Sequence, residues 1–465
     1  MRYVSTRSPM GARARLAFDE VLLAGLAGDG GLYVPEHVPK LPEDTRLGAG
    51  ELSYAELAAR IMAPYVGGAV DDDDLAELVA DAYAAFDHPD VCPLVALDDD
   101  HWLLELFHGP TFAFKDVALQ VVARLFDHEL ERRDDRATIV AATSGDTGSA
   151  AMEAVAGRDR LDIVVLHPAG RTSEIQRRQM TTLDASNVHA VAVDGTFDDC
   201  QDLVKAMFGD EPFRTESRLA AVNSINWARV AAQIVYYVWA ARLLSDERPV
   251  TFCVPTGNFG NVLAGHYARR MGLPIGRLLI ASNTNDILSR LVETGELAAH
   301  GVTPTLSPSM DIQISSNLER LLFELFDGDG AATAALLGRF RAEGRAGLSA
   351  EQHRRIRAEF AGDRLDDPET LDVMGRVHAG SQMLIDPHTA VGVGVAQRCR
   401  RPQELVVSLA TAHPAKFPEA VARATGRTPE PPPALAAVAD RPERCTSLPN
   451  RVDAVKDFVR SVRRD

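Results

Sequence analysis

The chain has little of what several protein classes require. Its five cysteines, Cys92, Cys200, Cys253, Cys399 and Cys445, are odd in number, widely separated and never in a Cys-x-x-Cys pair. That argues against a disulfide framework or a structural zinc site. No run of about twenty apolar residues is available to span a bilayer, and the opening Met-Arg-Tyr-Val-Ser-Thr-Arg lacks the apolar stretch of a secretory signal. The expected location is the cytoplasm. Positive charge is in deficit: 49 Lys and Arg against 66 Asp and Glu leave a net charge of -17. Such a surface repels phosphate backbones and anionic lipid, so neither nucleic acid nor a membrane is an expected partner. Hydrolase and metal signatures are missing too, with no Gly-x-Ser-x-Gly elbow, no His-Glu-x-x-His, and thirteen histidines that are scattered. No metal site is expected, and no internal repeat is visible.

What is present fits a globular enzyme of several packed units. At 465 residues the chain is too long for one ordinary core, and 46% hydrophobic with 25% charged residues is an average composition. Residues 1–95 read as an N-terminal accessory region of helical segments broken by turns, with an acidic run at Asp71 to Asp74 suited to a helix start. From about Trp102, short apolar runs alternate with amphipathic stretches, the rhythm of an α/β protein with a mostly parallel sheet. Residues 96–130 and 210–428 form one large unit in this reading, and 131–209 a small α/β unit. Strand signals fade between about 286 and 375, where charge-rich helical sequence suggests an insertion. A short strand at 405–409 ends the sheet, and residues 429–465 read as a Pro-rich linker and a C-terminal helix.

Four segments carry chemistry. The first, Phe107 to Asp116, sets Lys115 at a helix start among aromatic and small residues; an apolar surround and the positive end of a helix both lower a lysine's pKa, as an imine-forming amine requires. The plain alternative is a surface lysine beside an aspartate. The second, Ala142 to Ser149, is a strand end, a polar turn and a helix start, where unpaired amides with the Thr143, Ser144 and Thr147 hydroxyls can hold a carboxylate; an ordinary helix cap is equally compatible. The third, Phe252 to Asn261, is a strand, glycine loop and helix whose backbone can approach a phosphate. It has neither the Gly-Lys-Ser/Thr of a nucleotide loop nor the dinucleotide fingerprint. The fourth, Leu409 to Phe417, places Thr411 at the carboxyl end of a strand, where α/β ligand sites gather; taken alone, it reads more simply as a turn before Pro414.

In this order, together with Asn223 to Arg229 and Leu306 to Ile312, these segments resemble the threonine synthase family, and most closely its long-chain fungal and bacterial branch. The resemblance runs from about residue 3 to residue 418. Ser8 departs from a glycine in the family pattern, and Asn261 stands where relatives often carry an acidic residue. The resemblance implies a fold-type II pyridoxal 5'-phosphate (PLP) enzyme, tryptophan synthase β-like in its α/β fold, with Lys115 carrying the cofactor as a Schiff base. It implies that Gly257, Asn258, Phe259, Gly260 and Asn261 hold the cofactor phosphate, that Thr411 meets the pyridine nitrogen, and that Asp146 lies near the phenolic oxygen. Thr143, Ser144 and Thr147 would take the substrate carboxylate. Arg171 and Arg229, with Asn226 nearby, are candidates for the substrate phosphate, since arginine binds phosphate bidentately. The implied substrate is O-phosphohomoserine, the implied reaction a carbon-oxygen lyase step releasing phosphate and forming threonine, and the expected assembly a monomer or homodimer. His388 and His413 could line the site or serve structure alone. Two alternatives stay open: a serine or threonine dehydratase on the same scaffold, without a second phosphate site, and a silent relative that only binds phosphorylated ligands.

Overall fold

The computed structural model describes residues 1–46, 51–143, 145–221, 224–244 and 248–464. Two twisted sheets carry the molecule. The larger has the strand order Phe360–Arg364, Ile275–Ser282, Val250–Pro255, Val406–Ala410, His101–Glu105, Leu94–Asp98. All its neighbours run parallel except the last pair, an antiparallel hairpin. Val250–Pro255 and Val406–Ala410 are buried along their whole length, because a parallel strand covered on both faces needs a continuous apolar run rather than alternation. The smaller sheet, all parallel, runs Thr446–Pro449, Val188–Asp194, Leu161–Pro168, Ala137–Ala142, Leu219–Ala220.

Helix Trp227–Leu244 shows why sequence pattern alone could not place it. Residues Trp227 to Ala241 are all buried, and a helix apolar on every side belongs inside. The N-terminal region supplies much of its covering: Tyr3 and Tyr65 ring centroids lie 6.0 and 5.6 Å from that of Trp227, and Tyr54 lies 5.5 Å from Trp239. The same region reaches the helical insertion, where Arg7 forms a two-armed pair with Glu319 at 2.9 and 2.7 Å. Among the described residues no helix is long and apolar enough to cross a membrane.

Four features depart from the sequence reading. Tyr3–Ser5 and Tyr33–Pro35 form a small antiparallel sheet in the N-terminal region. Phe360–Arg364 joins the edge of the large sheet, although its five residues are mostly half-exposed and lack alternation. Strand Val406–Ala410, last of the large sheet along the chain, sits in its middle. Finally, the C-terminal segment contributes an edge strand, Thr446–Pro449, and helix Val452–Val462, whose Val455 and Val459 enter the small sheet's core. Short edge strands carry little hydrophobic signal because one side is left to solvent.

Candidate active site

The chemistry-bearing segments meet where strands of the large sheet end. Strand His101–Glu105 leads into the loop that delivers Lys115, the first residue of helix Lys115–Arg132. Strand Val250–Pro255 runs into the glycine loop, and strand Val406–Ala410 into Thr411. One cavity is lined by Lys115, Asp146, Thr147, Arg229, the loop 256–261 and Thr411, together with Ser224, Gln233, Ser309 and His388. Carboxyl ends of parallel strands create such crevices because the connections diverge there.

Lys115 is buried, with Nζ 3.5 Å from the Ser309 hydroxyl and 3.6 Å from an Asp146 carboxylate oxygen. Burial pulls its ammonium below the usual lysine range; Asp146 opposes this, while Lys416 and Arg229 push the same way as burial. Burial alone would raise the Asp146 carboxyl, but Lys416 and Lys115 hold it well below the usual carboxylate range. The decisive partner is Lys416, whose Nζ is 2.7 Å from Asp146, with Gln176 donating at 2.9 Å on the same oxygen. Lys416 also donates to the Thr111 carbonyl at 2.8 Å. Thr111 in turn donates its N–H and hydroxyl to Asp116 at 2.8 and 2.7 Å, which ties the loop before Lys115 to the helix it starts.

The glycine loop is shaped for close approach. Phe259 takes a left-handed backbone, φ +63°, at the N-terminus of helix Gly260–Met271. A Cβ on Gly257 would lie 2.6 Å from the Ser309 carbonyl oxygen. Ser315 donates to the Gly257 carbonyl at 2.8 Å, and Asn317 to the Asn258 carbonyl at 3.2 Å, so the helical insertion braces the loop from outside. Two buried donors on the cavity lining lack partners among the described residues: Arg229 Nη1 and Asn261 Nδ2. Asn261 Oδ1 accepts from Tyr236 and Tyr237 at 2.6 and 2.9 Å, which turns its amide NH2 away from them. Orphaned donors beside a helix N-terminus call for an anion, and the lysine, loop and hydroxyl set fits PLP.

Not every expected residue arrives. Lys115, Asp146, Thr147, Gly257 to Asn261, Thr411 and Arg229 share the cavity. Thr143 does not line it: its hydroxyl accepts the Gly145 and Gly148 N–H groups at 3.0 and 2.9 Å, so it shapes the turn. Asn226 is buried elsewhere, donating to the Leu22 carbonyl at 2.8 Å and accepting from Ala228 N–H at 3.1 Å. Arg171 is exposed outside the cavity. Ser144 lies outside the described residues. His388 lines the cavity, whereas His413 caps a short turn by accepting the Ala415 N–H at 3.1 Å. The sequence reading missed Lys416 and Ser309, although both stand in segments that carried the resemblance.

Comparison with known proteins agrees with this geometry. Three family models match: "Threonine synthase N terminus" over residues 2–83, "Pyridoxal-phosphate dependent enzyme" over 93–337, and "Threonine synthase, C-terminal" over 389–459. A threonine synthase of Pseudomonas aeruginosa is 49% identical over 99% of this chain and 98% of its own. The solved structure of PLP-bound threonine synthase from Brucella melitensis matches with a TM-score of 0.97 at 49% identity, covering 100% of both chains. That of threonine synthase from yeast matches at 0.93 and 38% identity, covering 99% of this chain and 98% of its own. Full-length similarity at this level, over a cavity whose lysine, glycine loop and orphaned donors suit the cofactor, means that the chain belongs to the threonine synthase family of PLP-dependent, fold-type II enzymes.

Proposed function

We propose that this chain converts O-phospho-L-homoserine and water to L-threonine and phosphate, the last step of threonine biosynthesis. The observation that carries this reading is that one cavity holds two donors without partners among the described residues and able to take an anion, Asn261 Nδ2 at the glycine loop and Nη1 of the buried Arg229 guanidinium, and we assign the first to the cofactor receptor and the second to a substrate receptor. PLP brings one phosphate and O-phosphohomoserine a second. A dehydratase acting on serine or threonine needs only the first receptor.

In this reading Lys115 would hold the cofactor through Nζ, loop 257–261 would bind its phosphate, and the Thr411 hydroxyl would hydrogen-bond its ring nitrogen. When bound, PLP withdraws electron density from the substrate Cα and so acidifies the protons there and at Cβ. Lys115 Nζ, as a free amine, would move protons at these carbons; the burial that lowers its pKa favours the neutral amine this requires. Thr147 and the first amides of helix Asp146–Val155 receive the substrate carboxylate. Arg229 holds the phosphate that departs from Cγ. A cytoplasmic setting suits five cysteines that form no disulfide.

The test is to supply the holoenzyme with O-phosphohomoserine and follow phosphate and threonine together. Equal release of both, lost in Lys115→Ala, is expected; phosphate with a keto acid in place of threonine would refute the reading. Arg229→Gln should raise KM for O-phosphohomoserine about tenfold to a hundredfold, the size of a charge-assisted contact, with PLP retained. Loss of PLP affinity instead would reassign Arg229 to the cofactor phosphate.

A further inference from the structure

Behind the cavity wall lies a carboxylate that no step above uses. Asp386 is fully buried and caps helix Pro387–Cys399. Its Oδ2 accepts the His388 backbone N–H at 2.9 Å and the His388 ring Nδ1 at 2.7 Å. Its Oδ1 accepts the Thr389 N–H at 3.1 Å and the Thr389 hydroxyl. Four donors converge on two oxygens, and among the described residues no lysine or arginine pairs with this group.

Each acceptor arm continues to the cavity. On the first, His388 Nε2 accepts the Ser309 N–H at 3.2 Å, so the ring proton sits on Nδ1, facing Asp386. Ser309 in turn places its hydroxyl 3.5 Å from Lys115 Nζ and its carbonyl against Gly257. On the second, the Thr389 hydroxyl gives its hydrogen to Asp386 and accepts the Thr411 N–H at 3.3 Å. The directions are fixed from the outer ends: the Ser309 and Thr411 N–H groups can only donate, so His388 Nε2 and the Thr389 oxygen accept, and the Nδ1 and hydroxyl hydrogens point to Asp386. An imidazole tautomer is set by the bond its other nitrogen makes, and here that bond is to Asp386.

We propose that Asp386 is a positioning residue which, through His388 and Thr389, sets two walls of the cofactor cavity: Ser309 against Lys115 and the glycine loop, and Thr411 at the opposite arm. The proposal rests on the roles assigned above to Lys115 and Thr411. Its physical content is a matching of donors and acceptors. An amide at position 386 presents one NH2 where an oxygen stood. If the NH2 faces His388, the ring must move its proton to Nε2, where it meets the Ser309 N–H donor to donor. If it faces Thr389, it meets the Thr389 backbone N–H donor to donor, and the Thr389 hydroxyl, which accepts the Thr411 N–H, loses the acceptor for its own hydrogen. One wall is displaced in either case, and misplacement of a reacting group by about 1 Å costs about a hundredfold in rate.

The first measurement is the tautomer of His388 in the wild-type holoenzyme, read from 15N chemical shifts with His388→Gln as the assignment control. Protonation at Nδ1 is expected; protonation at Nε2 would overturn the proposal without any variant. Asp386→Asn is expected to keep a PLP absorption band, to lose about a hundredfold in kcat, and to move the His388 proton or shift the PLP band. His388→Gln, whose side-chain oxygen can still accept the Ser309 N–H, should keep at least about tenfold more kcat than His388→Leu, the factor of one lost hydrogen bond. Thr389→Val should weaken PLP binding by up to about tenfold and leave the His388 tautomer unchanged. Equal rates for the Gln and Leu variants, or an Asp386→Asn enzyme with wild-type tautomer and kcat, would refute the proposal. A wild-type protein without a PLP band would sink the functional reading instead, and the tautomer would still decide whether Asp386 orients His388.

Discussion

Replacing Lys416 by methionine probes the electrostatics of the cavity most directly. The lysine head is fully buried, 2.7 Å from Asp146 and 2.8 Å from the Thr111 carbonyl. Methionine keeps an unbranched apolar stem and removes the charge. Asp146 then remains buried with a single cation, Lys115, at 3.6 Å, and with Gln176 donating at 2.9 Å. Removing one partner of a buried pair costs about 3–5 kcal/mol; because a second cation and an amide remain, the expected loss is near the lower bound, about 3 kcal/mol. Function should shift with it. Lys416 lowers the Lys115 pKa and Asp146 raises it, so the variant loses the first influence and concentrates the second on Lys115. The Lys115 pKa rises, and each unit of rise lowers the neutral fraction of the amine about tenfold below its pKa. The acidic limb of the kcat profile should therefore move to higher pH, with activity partly recovered in alkali. Denaturant unfolding reads the stability and steady-state rates across pH read the limb. A stability loss below about 1 kcal/mol, the size of an exposed pair, together with an unmoved acidic limb, would refute this account.

Three further outcomes are expected. His266 is buried between Glu324 and Glu359 at 2.9 and 2.7 Å, and these carboxylates outweigh burial to raise its pKa from 6.5 to about 9; the imidazolium's contribution, on the order of 3 kcal/mol, is complete below pH 6.5 and disappears as pH rises through about 9. His266→Asn should flatten that pH dependence in urea titrations, and an unchanged slope would count against a charged His266. Gly257→Ala forces a methyl to 2.6 Å from the Ser309 carbonyl oxygen, so PLP should bind more weakly while the far-ultraviolet circular dichroism is retained; wild-type PLP affinity would contradict the close approach. Asn226→Ala should cost about 1–3 kcal/mol of stability through the orphaned Leu22 carbonyl and leave KM for O-phosphohomoserine unchanged, whereas a KM effect would restore the substrate role that the sequence suggested.

The chemistry was legible because it is local. Lys115 at a helix start and the glycine loop after strand Val250–Pro255 can each be read from a few neighbouring residues, since amide donors and backbone freedom depend on nearby chain. Pairings across long separations were not legible. Lys416 meets Asp146 across 270 positions, and Ser309 meets Lys115 across 194. Asn226 looked like a ligand residue because a polar side chain in a motif has the same letter whether it faces a substrate or a backbone carbonyl; its bond to Leu22 shows which.

By itself the sequence determined the α/β rhythm, the parallel strands with continuous apolar runs, the lysine and the glycine loop, because hydrophobic periodicity and loop chemistry are properties of contiguous residues. Only the tertiary structure decided which charges neutralise one another around Lys115, which arginine enters the cavity, and which sheet takes the C-terminal strand Thr446–Pro449. Those outcomes turn on distances of a few ångströms between residues far apart in the chain, where Coulomb energy and hydrogen bonding change steeply and sequence spacing carries no distance.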